Sequence, residues 1–316
     1  MSAPVDVDLR TDLERVEILL RENADSDNPL VRRVSMHLID AGGKRFRPML
    51  TLLSGRVADA KDPRLVPCAA AIELTHLATL YHDDVIDETA IRRGVETANA
   101  LWGNSIAVLA GDFLFARASG LAADLGSYVT RRLADTIAFL CEGQIMESEA
   151  QGKRDALVDG YLEVIRRKTA ALISSACHLG SWLAGAPEEV VAAMTEYGEA
   201  VGMAFQLADD ILDIVGYEAD TGKKPGTDLR AGVFTLPVLA TLRGDAGGGD
   251  ELHAALETTD VDAALGVLRS NGSIDITRDV ASQWAARGRA ALERVPAGAA
   301  RDALAALAGD SPDRRA

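Results

Sequence analysis

The chain has 316 residues, a net charge of −15, 48% hydrophobic residues and only 4% aromatic ones. So acidic a protein is a poor partner for nucleic acid or an anionic membrane surface, and it handles an anionic substrate only through metal ions or local basic residues. Alanine, leucine and charged residues recur at helical spacing while β-branched alternation is scarce, so the fold class is all-α.

Taken in chain order, helices are expected over 8–23, 29–41, 47–57, 63–87, 104–124, 127–151, 155–185, 187–215, 233–243, 249–271 and 275–309. Asp62-Pro63 opens the fourth with a cap and a proline at the first helical position. Residues 216–232 form the longest break, with glycines, a proline and two lysines, and read as an ordered functional loop or a lid. Asp245 to Asp250 is a surface turn, and residues 1–7 and 310–316 are expected to fray. With no repeat and no Pro/Gly/Ser-rich linker, residues 1–316 read as one domain, a large antiparallel helical bundle around a central cavity. The acidic N-terminus MSAPVDVDLRTDLE has no apolar core of a signal peptide, and no uncharged apolar run approaches the length of a membrane span. Cys68, Cys141 and Cys177 lie far apart in apolar stretches and read as buried free thiols of a reducing cytoplasm.

Two acidic clusters stand inside apolar helices: Asp83-Asp84-Val85-Ile86-Asp87 and Asp209-Asp210-Ile211-Leu212-Asp213. Positions i and i+4 share a helix face, so each helix offers a pair, Asp83 with Asp87 and Asp209 with Asp213, and a third carboxylate to the side. Unpaired carboxylates in apolar segments repel one another and resist desolvation. No lysine or arginine stands four residues from Asp83, Asp209 or Asp213 to offset them. Mg²⁺, which binds carboxylate oxygens together with substrate phosphates, fits that need. One such cluster reads equally well as a solvated acidic helix end; two, each in apolar periodicity, read as a metal site.

Basic groups stand out against this background. Gly42-Gly43-Lys44-Arg45-Phe46-Arg47-Pro48 puts cations on a flexed turn that opens a helix, a good seat for a diphosphate. Arg92-Arg93 follows the first acidic cluster, Arg166-Arg167-Lys168-Thr169 lies on a helix, and Lys223-Lys224 occupies the loop. Singly, each is an ordinary surface patch. Together with two acidic clusters they point to diphosphate binding through metal and arginine. His76, seven residues before Asp83, lies near the same helix face. His82 and His178 read as core or supporting residues, and Trp102, Trp182 and Trp284 as packing.

The set GGKRFRP, HDDVIDETAIRRG, KTA, FQLADDILD and GKKPGTDL, in this order, resembles the trans-isoprenyl diphosphate synthases (polyprenyl synthetases) over about residues 29 to 240. The resemblance implies a Mg²⁺-dependent head-to-tail (1′-4) condensation of isopentenyl diphosphate with an allylic diphosphate, on an all-α bundle that forms a homodimer. It implies that Lys44, Arg47, His76 and Arg93 bind isopentenyl diphosphate. Asp83 and Asp87, helped by Asp84, hold two magnesium ions, and Asp209, with Asp210 and Asp213 nearby, holds a third. Arg92, Lys168 and Lys223 clamp the allylic diphosphate, and Thr169 and Gln206 lie near the developing cation. The family usually reads GKxT where this chain has Gly232-Val233-Phe234-Thr235, so the clamp is one cation short unless Lys224 or Arg230 substitutes.

Product length is read from the helix before the first cluster. Ala78, five residues before Asp83, lies about 7.5 Å deeper at 1.5 Å per residue. Thr75, Ala71 and Cys68 continue its stripe, and all four are small. Short-chain members of the family place a bulky floor near the Ala78 position; here the expectation is an open channel and a product of about C35 to C50. The plain alternative is that small residues let two helices pack closely. Competing functions are a short-chain C15 to C20 synthase, a class I terpene cyclase and a non-catalytic partner subunit. A cyclase is expected to carry a different second metal motif and no isopentenyl site, and a partner subunit to have lost aspartates or basic clamps. Both acidic motifs are complete here, with Val233 the single feature leaning toward the partner subunit.

Overall fold

The computed structural model describes residues 8–58, 62–154, 157–216 and 224–310, which are almost wholly helical. They divide into two compact units, one of Met1–Ile137, Leu172–Thr195 and Leu292–Leu304, the other of Ala138–Ala171, Glu196–Ala291 and Ala305–Ala316.

The first unit opens with α1 (Arg10–Ala24), α2 (Pro29–Asp40) and α3 (Phe46–Arg56). Asn28 caps α2, its side chain accepting from the N–H groups of Leu30 and Val31 at 2.9 and 3.3 Å, with Pro29 in the first turn. The central element is α4 (Leu65–Ile86), apolar on nearly every face, which packs against α1, α3 and α6 (Asn104–Asp124). A helix apolar on nearly every face becomes the axis others pack on. Close approach needs glycine: a side chain on Gly55 would run into Leu65, and one on Gly111 of α6 into the His82 ring. Tyr81 is fully buried; its hydroxyl donates to the Val34 carbonyl and accepts from the Leu38 N–H at 3.3 Å, pinning α2 to α4. Between α4 and α6 lie a small hairpin, β1 (Ile91–Arg92) and β2 (Val95–Glu96), and α5 (Ala98–Trp102).

The chain continues through α7 (Ser127–Ala150), α8 (Val158–Ile165), a single π turn (Arg166–Ala170), α9 (Ala171–Leu183) and α10 (Glu188–Val215). Then come α11 (Thr227–Arg230), α12 (Leu236–Leu242), α13 (Gly249–Glu257), α14 (Val261–Ser270), α15 (Ser273–Ala291) and α16 (Ala299–Asp310). In the second unit Ile165, Ala170, Met203, Leu207 and Leu236 form one core cluster, and Ile211, Leu229, Val238, Leu252 and Leu268 belong to another.

Several expected boundaries change. The fourth helix begins at Leu65, not residue 63: Asp62 accepts from the Arg64 N–H at 2.8 Å and forms a turn ahead of it. The helix expected over 249–271 is two, broken at Thr259 in the left-handed region, after which Asp260 caps α14 through the Ala263 N–H at 3.0 Å. The helix expected over 275–309 is interrupted around Pro296 and Gly298. Helix α6 is long and apolar enough by length and composition to cross a membrane, with a third of that window buried. Cys68 and Cys177 are buried, their thiols pushed up to about 12 by burial, whereas Cys141 is exposed, contrary to expectation. Trp102 meets His37 edge-on, and Trp284 packs on the second unit's core, both in packing roles.

His178 binds two elements of the first unit, its Nε2 2.8 Å from the Tyr128 hydroxyl and its Nδ1 2.9 Å from that of Thr195. Burial, with Arg132 adding to it, depresses its pKa to about 4, so the folded ring is neutral. A histidine depressed below its unfolded value near 6.5 contributes stability that is present above that value and lost as pH falls through 4. Discounted for the ring's partial exposure, the loss is about 2 kcal/mol. Urea midpoints at about pH 7.5 and 4.5 will therefore differ less in His178→Phe than in the parent protein. Parallel profiles would show that this ring does not report the acid lability.

Candidate active site

The first acidic cluster ends α4, with Asp83 and Asp84 in the last turn and Asp87 at the cap. The Asp87 N–H donates to the Asp83 carbonyl at 2.8 Å. Glu88 takes the left-handed position (φ +50) that glycine usually fills, and the Thr89 N–H returns to the Asp84 carbonyl at 2.9 Å. This end of a helix carries negative partial charge, so carboxylates here oppose the dipole, and no basic residue of α4 offsets them in the last turn. Asp84 is buried, at 1% exposure, and receives Arg92 Nε at 2.5 Å. Arg92 is delivered by the hairpin, whose turn residues Arg93 and Gly94 both have positive φ, +53 and +77, as a tight two-residue turn requires.

Arg93 turns back from that hairpin to the glycine-rich turn, donating to the carbonyls of Gly42 and, at 3.0 Å, Leu38. Gly43 leaves no room for a side chain: a Cβ would sit 2.9 Å from Arg45 and 3.1 Å from Arg93. Arg45, itself at φ +46, donates to Glu17 at 2.9 Å and reaches the buried Glu73 at 3.4 Å. Burial raises the pKa of Glu73 against the pull of Arg45, Arg47 and Arg93. His76 sits in this cluster, held well below its usual range by burial and then by Arg47, Arg93, Arg92 and Arg45. It is a neutral imidazole among guanidiniums. The structure thus gathers Arg47, His76, Arg92 and Arg93, with Lys44 exposed on the adjoining turn. Arg45, expected as one of the cations of a diphosphate seat, turns instead to Glu17 and Glu73 and fixes the turn, and Glu73 had no expected role. The signal for Glu73 was a lone carboxylate in an otherwise apolar helix.

The second cluster lies in the last turns of α10, again without a basic residue in the last turn. Asp213 accepts from the N–H groups of Thr227 and Asp228, both at 3.1 Å, and so caps α11. Asp210 is buried at 1% exposure; Tyr161 donates its hydroxyl to Oδ2 and Gln206 its amide Nε2 to Oδ1 at 3.1 Å. Burial, then the nearby Asp228, push the Asp210 carboxyl well up, opposed by the bonds from Tyr161 and Gln206. Thr169 donates to Gln206 Oε1 at 2.8 Å, joining the two residues expected near the cation.

Lys168 and Thr169 stand on the π turn, a one-residue insertion in a helix that recurs at functional sites. Two glycines press on it: a Cβ on Gly143 of α7 would come within 2.7 Å of the Lys168 nitrogen, and one on Gly202 of α10 within 2.6 Å of Ala170 Cα. Lys168 pairs with Glu147, while Arg166 and Arg167 turn to Glu163, and Arg167 also to Glu142. Tyr161, Glu147, Gly143 and Gly202 went unrecognised in the sequence; glycines interrupting a helical pattern were the available signal.

Lys223 and the 217–223 stretch of the lid expected at 216–232 lie outside the described residues, and its second half carries α11. Lys224 is exposed, and Arg230 donates to the Pro225 carbonyl of its own loop. Val233 lines an apolar cavity of about 320 Å³ with Met146, Leu157, Tyr161, Val164 and Phe234. In the first unit, Ala78, Thr75 and Cys68 are 0% exposed and Ala71 is 1%. The channel expected to stand open along this stripe is therefore packed shut, because small side chains let the neighbouring helices close on it. The partly exposed face of α4 leading to Asp83 instead carries His76, Thr79 and Leu80.

Among the described residues no three acidic, histidine or cysteine side chains form a ready-made metal cage. The donor set nonetheless suits Mg²⁺, which takes one or two carboxylates and completes its shell with substrate phosphates and water. Both clusters present hard oxygen donors at helix ends where negative charge lacks an offset from the same turn.

Residues 28–266 match the family model described as polyprenyl synthetase. The chain is 43% identical over 305 residues to a nonaprenyl diphosphate synthase of Mycobacterium tuberculosis, covering 95% of this chain and 91% of that protein. A solved decaprenyl diphosphate synthase from Rhodobacter capsulatus matches with a TM-score of 0.90 at 39% identity over 96% of both chains. A geranylgeranyl pyrophosphate synthase from Corynebacterium glutamicum, complexed with calcium and isoprenyl diphosphate, matches with a TM-score of 0.83 at 41% identity over 96% of this chain and 95% of that one. The chain shares the all-α fold of these structures.

Proposed function

The chain belongs to the polyprenyl synthetase family and is a prenyltransferase, and from this we propose that it condenses isopentenyl diphosphate head-to-tail with allylic diphosphates, using three Mg²⁺ ions, to a long all-trans polyprenyl diphosphate. The carrying observation is the pair of carboxylate-ended helices, α4 and α10, each without a basic residue in its last turn. Residues 1–316 serve as one catalytic domain, working in the cytoplasm.

In this reading Lys44, Arg47, His76 and Arg93 hold the isopentenyl diphosphate, the neutral His76 adding a hydrogen bond where a further charge would repel its arginine neighbours. Asp83, Asp87 and Asp209, supported by Asp84 and Asp213, hold the metal. When bound, Mg²⁺ supplies charge stabilisation for the leaving diphosphate. Arg92, Lys168 and Lys223 orient that diphosphate; Arg92 and Lys168 are held ready by Asp84 and Glu147. The Thr169 hydroxyl, Gln206 amide and Lys168 carbonyl turn dipoles toward the allylic cation. The proton lost after attack by the isopentenyl double bond goes to the departing diphosphate. Val233 contributes an apolar wall in place of the family's usual lysine.

Turnover tests the metal assignment. Asp83→Ala or Asp209→Ala will lower kcat for labelled isopentenyl diphosphate incorporation by about a thousandfold at saturating Mg²⁺, while the fold by circular dichroism is retained. Near-normal turnover in both variants removes the metal reading.

Product length is the second test, since the matched proteins include both a nonaprenyl and a geranylgeranyl synthase. We expect products of about C35 to C50 from the parent protein, the apolar tail replacing apolar contacts as it parts the stripe of Ala78, Thr75 and Ala71. Ala78→Phe shortens them to about C15 to C20, because a ring cannot be absorbed in a close-packed wall without strain. A parent product that stops at C20 establishes the short-chain reading, and an unchanged length in Ala78→Phe takes the tail off this stripe.

The homodimer belongs to the same proposal. Leu101, Val108 and Leu109 are exposed on α5 and α6, Leu109 at 62%, an apolar surface suited to a second copy. Light scattering should give a mass of about twice the chain's 33.4 kDa, and Leu109→Glu should halve it. A monomeric parent protein at micromolar concentration rules the dimer out.

A further inference from the structure

We propose that Tyr161 is a positioning residue of the prenyl-transfer reaction: its hydroxyl holds Asp210, Asp210 holds Gln206, and Gln206 aims Thr169, so that Asp210 serves this chain of hydrogen bonds rather than a magnesium ion. The inference rests on the reaction proposed above.

The four residues come from three elements. Tyr161 stands on α8, Thr169 on the π turn that follows, and Gln206 and Asp210 one helical turn apart on α10. Both Asp210 oxygens are engaged, Oδ2 by the Tyr161 hydroxyl and Oδ1 by Gln206 Nε2 at 3.1 Å, in a side chain at 1% exposure. Asp209 and Asp213, by contrast, are partly exposed. A carboxylate shut in and engaged at both oxygens is badly placed to serve as a ligand.

The chain has a direction. An amide can present either its oxygen or its nitrogen to a neighbour, and only its partners decide which. Here Asp210 takes the Gln206 nitrogen, which leaves Gln206 Oε1 to accept from the Thr169 hydroxyl at 2.8 Å. The single hydroxyl proton of Thr169 is spent on Gln206. Its oxygen lone pairs are left for an electron-poor centre, and a fixed dipole stabilises developing charge without reorganising. Tyr161 anchors the far end: its ring packs on the core cluster of Ile165 and Leu207 and lines the apolar cavity beside Phe234. Two side-chain torsions, both set by packing, therefore fix where its hydroxyl stands.

Tyr161→Phe removes one oxygen and leaves the ring. With isopentenyl diphosphate, a short allylic diphosphate and Mg²⁺, we expect kcat to fall about tenfold or more while both Michaelis constants stay within about threefold. Calorimetric binding of Mg²⁺ with inorganic pyrophosphate should be unchanged in Tyr161→Phe and in Asp210→Asn. Asp210→Asn should lower kcat similarly, and the double variant no further than the worse single one, since both cut the same chain. If Tyr161→Phe does not fold, Gln206→Met breaks the chain at its middle and carries the same expectations. Parent-like kcat in the variant, additive losses in the cycle, or a tenfold loss of Mg²⁺–pyrophosphate affinity overturns the inference. A parent protein that forms no prenyl product overturns the reaction and the inference together; an active parent with an unaffected Tyr161→Phe overturns the inference alone.

Discussion

Carboxylates crowded at the carboxyl end of a helix repel one another and the helix dipole at once, and this protein builds that arrangement twice. Much of the surrounding structure answers it. Asp84 is met by Arg92, Asp210 by Tyr161 and Gln206, and Asp213 by two backbone N–H groups at the start of α11. In each cluster the protein itself engages the buried carboxylate, Asp84 at Oδ1 and Asp210 at both oxygens, while partly exposed ones share the same helix end.

The opposite problem arises around His76. Several guanidiniums crowd one corner of the first unit, where burying a charge without a partner is costly. Glu17 and Glu73 take up Arg45, and Gly42 and Leu38 carbonyls take up Arg93. The arginines are thereby held in place before any anion arrives, which spares a ligand the cost of ordering them. His76 completes the corner as a donor or acceptor that adds no charge.

The parts of this arrangement that were legible in the sequence are those with a short-range signature. Helical periodicity and the i, i+4 spacing sufficed to put Asp83 with Asp87 and Asp209 with Asp213 on the ends of two helices. The hairpin carrying Arg92 was missed because two-residue strands have no periodicity, and the only cue was a glycine after Arg93. The merging of α13 with α14 came from reading Thr258-Thr259-Asp260 as continuous helix, although aspartate before an apolar run is a cap signal. Tyr161 and Asp210 are 49 residues apart, so their bond is a product of tertiary packing with no local trace. The small stripe on α4 was legible as small, but whether it lines a void or a contact depends on what packs opposite, and here it is a contact.

The π turn at Arg166–Ala170 sets the register of everything it carries. It holds one residue more than the α-helix on either side would accommodate, and removing that residue restores unbroken α geometry. Because each α residue advances about 100° around the axis, the shortened helix would keep its flanking packing only by rotating Lys168 and Thr169 off their present face. The two glycines that hug the bulge would then face a void where backbone now lies. A one-codon deletion in this segment is thus a reading-frame error of geometry: composition, charge and helix content scarcely change, yet the side chains are addressed to the wrong neighbours.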